Sequence, residues 1–261
     1  MVSGKALRRI ILEQSYRAKV GHIGSALSVA DLVAAVYAGA MRDAEPSDPD
    51  RDRVVLSKGH AALALYAAFA LRGWVDPARL DAYCADDSAF GVHPEHGVPG
   101  VDFKTGSLGQ GLTFGAGAAL AARLQGSARR TFVIMSDAEC NEGSTWEAAM
   151  FAAHHQLGNL TVILDLNGQQ ALGYTRDVST APNMADRWRA FGWDAHDVDG
   201  HDAAALTATL NGFSATGMPH IIVAHTTFGK GVSYMESQIR WHYLPMSESE
   251  FSTAMAEVEA S

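Results

Sequence analysis

The sequence contains only two cysteines, Cys84 and Cys140, and they lie in unrelated stretches of the chain. Because they form no C-x-x-C pair, they give no sign of a disulfide framework. So little cysteine is typical of proteins of a reducing compartment, and we expect a cytoplasmic protein.

Two further features are missing, a block of basic residues and a long apolar segment. The formal net charge is −9, from 20 Lys+Arg and 29 Asp+Glu, which argues against nucleic acid as the main partner. The longest apolar run, residues 61–71, is much shorter than the ~20 residues of a membrane span. Apolar and charged positions at helical spacing predict an amphipathic helix over residues 7–18 rather than a signal peptide.

The hydrophobic content of 48% is enough for a large packed core, and predicted strands alternate with predicted helices. Strands are predicted at 53–57, 131–135, 160–166, 193–198 and 220–226, and helices at 7–18, 29–41, 60–72, 111–124, 144–157, 183–191 and 203–213. This order favours an α/β fold with a doubly wound, mainly parallel sheet and helices on both faces. No linker divides the chain, so residues 1–261 are expected to form a single domain.

Short polar patterns predict where several elements begin. Ser28 with Asp31, and Ser144 with Glu147, have the spacing of capping boxes for the helices that follow them. Glycine and proline predict loops at residues 21–28 and 90–111. The stretch 193–202 is rich in aspartate and histidine and could form a metal cluster, but a strand, a turn and a helix cap at Asp202 explain it better.

Residues 132–143, FVIMSDAECNEG, combine the pattern of a buried strand with the carboxylates of Asp137, Glu139 and Glu142. No lysine or arginine lies beside these carboxylates in the sequence. Buried negative charge needs a partner, so we expect a positive charge to reach them from outside the chain.

Asp137 and Asn167 follow two successive predicted strands and are 30 positions apart, the length of one βαβ unit. Ligands bind beyond the carboxyl ends of parallel strands, and a carboxylate with a carboxamide suits Mg²⁺ or Ca²⁺ better than zinc. The helix that begins near Ser144 directs free N–H groups to the same place, which favours an anion such as a diphosphate. A structural alternative stays open, in which Asp137 and Glu142 cap that helix and Asn167 forms a turn with Gly168.

Residues 136–168 resemble the thiamine-diphosphate motif, which begins Gly-Asp-Gly and closes on an asparagine. The resemblance implies that Asp137, Asn167 and the main chain of Gln169 bind Mg²⁺, or Ca²⁺ or Mn²⁺ in its place, and that the metal holds the cofactor diphosphate. The chain departs from the motif in having serine and alanine on either side of Asp137. We expect cofactor binding to survive this change if Ala138 has a negative φ and can still donate its N–H.

The resemblance extends over almost the whole chain and narrows to transketolases. Four segments of the chain resemble the histidine loops of transketolases. They are GHIGSALS with His22, SKGHAALALY with His60, GVHPEHGVPG with His93 and TTFGKGVSYMESQIRWHY with His242. The resemblance implies that His60 and His93 face the C1 hydroxyl of the donor sugar and the cofactor. It implies that His22 and His242 face the carbonyl oxygen and the leaving hydroxyl. It further assigns cofactor binding to Gly106, Ser107 and Leu108 on the aminopyrimidine side, to His60 and Ala138, and to Glu142, which helps to couple paired sites.

Transketolases are about twice as long as this chain, and the resemblance covers only their diphosphate-binding part. It implies that the pyrimidine-binding domain, with the glutamate that activates the cofactor, belongs to a separate C-terminal-type subunit. We expect a heterotetramer with two copies of each chain. Such an enzyme transfers a two-carbon ketol unit from a ketose, expected to be phosphorylated, to an aldose. The alternative is a fragment without activity.

Three other functions stay open. The chain could belong to another thiamine-diphosphate enzyme, such as a deoxyxylulose-phosphate synthase or a keto-acid dehydrogenase component, or be a cofactor-binding subunit that has lost catalysis. A nicotinamide site is a weaker candidate. The segment GQGLTFGAG has Phe114 at the third glycine position of G-x-G-x-x-G, and no buried strand precedes it.

Overall fold

The computed structural model describes residues 1–179 and 183–261 and contains a five-stranded parallel sheet in the order β1-β2-β3-β7-β6. Its strands are β1 Arg53–Leu56, β2 Thr131–Ser136, β3 Leu160–Leu166, β6 Asp194–Asp199 and β7 His220–His225. A two-stranded antiparallel hairpin, β4 Gln169–Gln170 with β5 Gly173–Tyr174, follows β3. The predicted α/β fold with a parallel sheet is confirmed.

Helices cover both faces of the sheet. One face carries α1 Gly4–Ala18, α2 Ile23–Ser28, α3 Ala30–Ala34, α4 Ala62–Arg72, α9 Ala203–Gly212 and α10 Glu248–Ala260. The other carries α5 Gly111–Leu124, α6 Gly143–His154 and α8 Met184–Ala190, while the short α7 Thr175–Val178 follows the hairpin. A π-helical segment, Ala35–Ala40, continues α3, and 3₁₀ turns lie at Gly59–Ala61, Pro77–Ala82, Asp137–Asn141 and Ile239–His242. None of the helices in the described part of the chain combines the length and hydrophobicity of a membrane span.

The central strands β2, β3 and β7 are buried on both faces because their side chains alternate between two hydrophobic cores. In β2, Phe132 and Ile134 pack on the side of α1 and α4, whereas Val133 packs on the side of α5 and α6. All six residues of β2 are buried, which explains its unbroken apolar pattern. Ser136 of β2 pairs with Asp165 of β3, so the loops that follow these two strands emerge side by side.

The first predicted capping box is wrong. Residues 23–28 form α2 instead of part of a loop, so Ser28 lies at the end of a helix, where its hydroxyl donates to Asp165 Oδ1 at 2.7 Å. Asp31 forms an ion pair with Arg8 and does not cap α3 together with Ser28. Both side chains have partners that are distant in the sequence, and a pattern of four residues contains no information about them.

The second predicted capping box is also wrong. The helix α6 begins at Gly143, and the hydroxyl of Ser144 donates to the carbonyl oxygen of Gly109 at 2.8 Å. A capping box exists nearby, but Ser136 and Glu139 form it, at the start of the 3₁₀ turn that follows β2. The box therefore shapes the loop that carries Asp137 rather than the helix after it.

The acidic stretch 193–202 has the predicted structure of a strand, a turn and a cap. It forms β6 and then a cap in which Asp202 Oδ1 accepts from the N–H groups of Ala204 and Ala205. Among residues 1–179 and 183–261, no group of three or more His, Cys, Asp or Glu side chains could hold a metal ion. The predicted strand and the predicted helix cap at Asp202 are confirmed.

Candidate active site

A cleft opens at the carboxyl edge of the sheet. Asp137 directly follows β2 and Asn167 directly follows β3, on neighbouring strands. The residues that line the cleft come from separate segments and include His22, Ser25, Lys58, His60, His93, Gly106, Leu108, Ala138, Asn167, Gln169, Gln170, Phe228 and His242. The fold thus brings most of the predicted site residues around one space, with Asp137 just beneath its surface.

Asp137 is 1% exposed and begins the 3₁₀ turn after β2. Its carboxylate accepts from the N–H of Ala138 at 2.9 Å and from the hydroxyl of Thr175 at 2.6 Å. Burial raises the pKa of Asp137 to about 6, and the nearby charge of Asp165 adds to the effect. Its hydrogen-bond partners in the described part of the chain are neutral, so it is a buried acid whose charged form a bound cation would stabilise.

Both ends of the Asn167 amide are held by the protein. Nδ2 donates to Asp165 Oδ2 at 2.8 Å, and Oδ1 accepts from the N–H of Gln169 at 2.9 Å. The structural alternative is therefore right in one part, because Asn167 does form a turn, although it closes on Gln169. It is wrong in the other part, because the side chains of Asp137 and Glu142 make no cap at the start of α6.

A buried ion pair that the sequence analysis did not include forms part of the cleft. Lys58 Nζ donates to Asp165, and the two side chains are 1% and 0% exposed. The hydroxyls of Ser28 and Thr226 also donate to Asp165. Positive charge therefore does reach this region from within the chain, contrary to our expectation, but it is paired with Asp165 and not with Asp137. The available sequence signal was a lysine at the start of the apolar segment SKGHAALALY.

Glu139 joins three loops beneath the cleft. It is fully buried, and burial raises its pKa. Its carboxylate accepts from the N–H groups of Gly109 and Ser136, at 3.0 and 2.9 Å, and from the hydroxyl of Ser57. These three donors already satisfy the carboxylate of Glu139 with hydrogen bonds. Of the two buried carboxylates in this segment, that of Asp137 is the better candidate for a cation.

Three of the four predicted histidines form an imidazole cluster, which we define as His22, His60 and His242, and which lines the same cleft. The ring centroids of His22 and His242 are 5.0 Å apart, and that of His60 lies 5.4 and 5.5 Å from them. Burial lowers the pKa of each ring, to about 4 for His242 and well below 6.5 for His60. All three imidazoles are therefore neutral at physiological pH and can both donate and accept hydrogen bonds.

His93 lines the cleft beside the glycine-rich loop. A Cβ atom at Gly106 would come within 2.8 Å of His93 Cδ2, and the φ of Gly106 is +142°. Only glycine fits there without displacing the imidazole. Two other predicted cofactor-binding residues, Ser107 and Glu142, are exposed. Glu142 lines a neighbouring surface pocket together with Leu108.

The oxygen donors of the cleft fit a hard divalent cation. They are a buried carboxylate that lacks a positive partner (Asp137), the amide oxygen of Asn167 and the main-chain carbonyl of Gln169. All three are oxygen atoms, which Mg²⁺ and Ca²⁺ prefer. Zinc would lack the nitrogen or sulfur ligands that it usually has.

The family described as "Transketolase, thiamine diphosphate binding domain" matches residues 2–258. The chain belongs to this family. It is 39% identical to a subunit of the apulose-4-phosphate transketolase of Phocaeicola vulgatus, over 96% of this chain and 90% of that one. It is 37% identical to the 6-deoxy-6-sulfo-D-fructose transketolase subunit SqwG of Clostridium sp., over 97% of this chain and 94% of that one.

Solved transketolases have the same fold as this member of the family. The enzyme from Campylobacter jejuni matches with a TM-score of 0.90 and 27% identity, over 98% of this chain and 42% of its own. The enzyme from Leishmania mexicana matches with a TM-score of 0.89 and 29% identity, over 98% of this chain and 40% of its own. The chain therefore spans about two fifths of the length of these solved transketolases.

The alanine after Asp137, where the thiamine-diphosphate motif of the transketolase family has glycine, causes no backbone strain. Ala138 lies in the 3₁₀ turn and is not among the residues with positive φ. The backbone N–H of Ala138 donates to Asp137 Oδ1. The part of our condition that concerns φ is thus met, whereas the N–H of Ala138 already has a partner in Asp137. The change adds a methyl group to the lining of the cleft.

Proposed function

We propose that this chain is the diphosphate-binding subunit of a two-component, cytoplasmic transketolase. The enzyme transfers a two-carbon ketol unit from a phosphorylated ketose to an aldose. One observation carries the proposal: a single cleft combines a set of oxygen donors with a cluster of neutral imidazoles. The first suits a metal-bound diphosphate, and the second suits the hydroxyls and carbonyl of a sugar.

The oxygen donors would hold the cofactor. Asp137, Asn167 and the main-chain carbonyl of Gln169 would bind Mg²⁺, or Ca²⁺ or Mn²⁺, and through it the diphosphate of thiamine diphosphate. Ala138, His60 and residues 106–108 would contact the rest of the cofactor. When bound, thiamine diphosphate supplies a thiazolium carbanion that can cleave the C–C bond beside a ketose carbonyl.

The histidines would bind the sugar and move its protons. We place His22 and His242 toward the carbonyl oxygen and the leaving hydroxyl, and His60 and His93 toward the C1 hydroxyl of the donor. Because burial lowers the pKa of His22, His60 and His242, these rings are neutral at physiological pH and can accept a hydrogen bond from a hydroxyl group.

A C-terminal-type subunit with a pyrimidine-binding domain would complete the active site. The chain spans about two fifths of solved transketolases, and relatives of nearly its own length are named as subunits. We propose a heterotetramer with two copies of each chain. Glu142, which is exposed beside the cleft, would help to couple the paired sites.

Reconstitution tests the assembly and the reaction together. The chain is mixed with a candidate partner subunit, thiamine diphosphate and Mg²⁺, and ketol transfer between a ketose phosphate and an aldose is followed. We expect transfer from the mixture and none from either chain alone. Transfer by this chain alone would refute the two-component proposal. A lack of Mg²⁺-dependent thiamine diphosphate binding by the mixture would refute the cofactor assignment.

A histidine variant separates a role toward the substrate from a role toward the cofactor. We expect His93→Ala to lower turnover far more than cofactor affinity, because the ring is placed toward the sugar. Equal losses of both would contradict its assignment. His196→Ala is the matched control, since His196 is exposed and pairs with Asp194 on β6, away from the cleft.

A further inference from the structure

The side-chain amide of Gln169 is buried without a partner. Gln169 is 6% exposed, and neither Nε2 nor Oε1 forms a hydrogen bond within the described part of the chain. Buried amides are normally bonded at both ends, because an unpaired one has lost its water without replacing it. Such a group in a cleft indicates a ligand that pairs with it.

Unpaired polar atoms are concentrated in this cleft. Among the described residues seven buried side-chain atoms have no partner, and four of them belong to His22, Gln169 and Gln170, which all line the cleft. Gln170 is partly satisfied, because its Oε1 accepts from Asn141 Nδ2 at 3.3 Å. Gln169 differs from it in having both a donor and an acceptor free. A ligand for Gln169 must therefore offer both.

The backbone around Gln169 contacts both the oxygen donors and the segment that carries His242. The N–H of Gln169 is bonded to Asn167 Oδ1. Two residues later, the carbonyl oxygen of Ala171 accepts from the hydroxyl of Tyr243, which follows His242 of the imidazole cluster. The pairing of β4 with β5 holds this backbone in a hairpin. A ligand that extends from the oxygen donors to the histidines would pass Gln169.

We propose that the side-chain amide of Gln169 binds hydroxyl groups of the ketose donor and helps to select the sugar. This inference rests on the proposed function. An open-chain sugar carries hydroxyls on adjacent carbons, so one can accept from Nε2 while the next donates to Oε1. The role belongs to the side chain alone and leaves the main-chain carbonyl free for the metal.

The kinetic test uses Gln169→Leu, and Gln169→Met as a second variant, in the reconstituted complex with its partner subunit. Loss of two hydrogen bonds should raise the KM for the donor ketose roughly tenfold to a hundredfold, with a smaller change in kcat. The Kd for thiamine diphosphate, measured by fluorescence titration with Mg²⁺, should stay within about twofold. In a series of deoxy donors, the analogue that lacks the bonded hydroxyl should react equally with the wild type and the variant.

A stability measurement separates this role from a structural one. In the ligand-free chain Gln169→Leu removes an unpaired amide, so its melting temperature should equal or exceed that of the wild type. Gln14→Leu is the matched control. Gln14 is 7% exposed, but its amide bonds to Asp81 and Arg17 and lies in α1, away from the cleft. We expect this control to lower the melting temperature and to leave the KM unchanged.

Each contrary result has a distinct meaning. If the wild-type complex transfers ketol units and Gln169→Leu leaves the KM unchanged, the role of Gln169 is overturned while the proposed function stands. A weakened Kd for thiamine diphosphate with an unchanged KM would reassign the amide to the cofactor and overturn the proposal. A lower melting temperature of the ligand-free variant would assign it a structural role instead. Absence of ketol transfer by the wild-type complex would overturn the proposed function itself, and the sugar ligand with it.

Discussion

The carboxylate and the imidazoles of the cleft are both partly removed from water, and this shifts their pKa values in opposite directions. Burial raises the pKa of Asp137 to about 6, and it lowers the pKa of His242 to about 4. In each case burial disfavours the charged form. The imidazoles need no partner to reach the neutral form that proton transfer requires. With a pKa of about 6, Asp137 is mostly charged at neutral pH, and a bound cation would stabilise that charged form further.

Lys58 and Asp165 form an ion pair in the same region, so the negative charge of Asp165 is neutralised within the protein. Asp165 receives an ammonium group, two hydroxyls and an amide N–H, from Lys58, Ser28, Thr226 and Asn167. Asp137 receives only a hydroxyl and its neighbour's N–H. The ammonium group of Lys58 thus bonds to one of the two buried aspartates, and Asp137 is the better candidate for a bound cation.

Loss of the lysine should give the largest effect. Lys58→Met leaves Asp165 buried without its cation, so we expect the free energy of unfolding to fall by about 3–5 kcal/mol, measured by urea denaturation. Lys104→Met is the control, because the side chain of Lys104 is 65% exposed and its pair with Glu95 should contribute less than about 1 kcal/mol. Equal losses in the two variants would show that Asp165 is compensated by other means.

Loss of the uncompensated aspartate should affect binding rather than folding. Asp137→Ala removes the charged oxygen donor, so we expect Mg²⁺-dependent affinity for thiamine diphosphate to fall about a hundredfold or more. Fluorescence titration with and without Mg²⁺ measures this. Asp186→Ala, which removes an exposed carboxylate paired with Arg189, should leave the affinity as it is. An unchanged affinity in Asp137→Ala would end the assignment of the metal site.

The imidazole cluster should make the stability of the chain depend on pH. The pKa of His242 is about 4 in the folded chain and about 6.5 when unfolded, so between these values the unfolded chain binds more protons. The stability that depends on the neutral ring is therefore present above pH 6.5 and is lost as the pH falls toward 4. Urea denaturation at pH 7 and pH 5 should show a larger loss for the wild type than for His242→Asn. Parallel profiles would mean that the ring is not buried in the folded chain.

The smallest effect is expected at Ala138. Because its φ is not positive, Ala138→Gly relieves no backbone strain and removes only a methyl group from the lining. We expect the Kd for thiamine diphosphate to change by less than about fivefold. A much larger gain in affinity would show that the methyl group obstructs the diphosphate.

Much of the fold follows from local patterns in the sequence. The apolar runs of β2 and β3 predict strands buried on both faces, and their spacing predicts that Asp137 and Asn167 are neighbours, as found. The helix α2 was not predicted, because the two glycines of GHIGSALS favour a loop when the segment is considered in isolation. The helix α10 lies outside the predicted elements, although Ser247 and Glu250 form a capping box at its start.

Partners that are distant in the chain could not be predicted in the same way. Lys58 and Asp165 are 107 positions apart, and nothing beside either residue indicates the other. The sequence around Ser28 predicts that its hydroxyl caps a helix. In the folded chain the hydroxyl donates to Asp165 instead, because α2 packs against the sheet. The unpaired amide of Gln169 is likewise a property of its surroundings, because burial and the lack of partners exist only in the folded chain.

Hydrophobic periodicity predicts the parallel sheet and the oxygen donors at its edge, and the resemblance to transketolases singles out the four histidines. Periodicity and motifs are local properties, so the amino-acid sequence is enough to find them. The tertiary structure alone decided which aspartate is neutralised by a lysine, which rings lose their charge and which amide is left unpaired. These outcomes depend on burial and on contacts between distant segments, which arise only when the segments pack against one another.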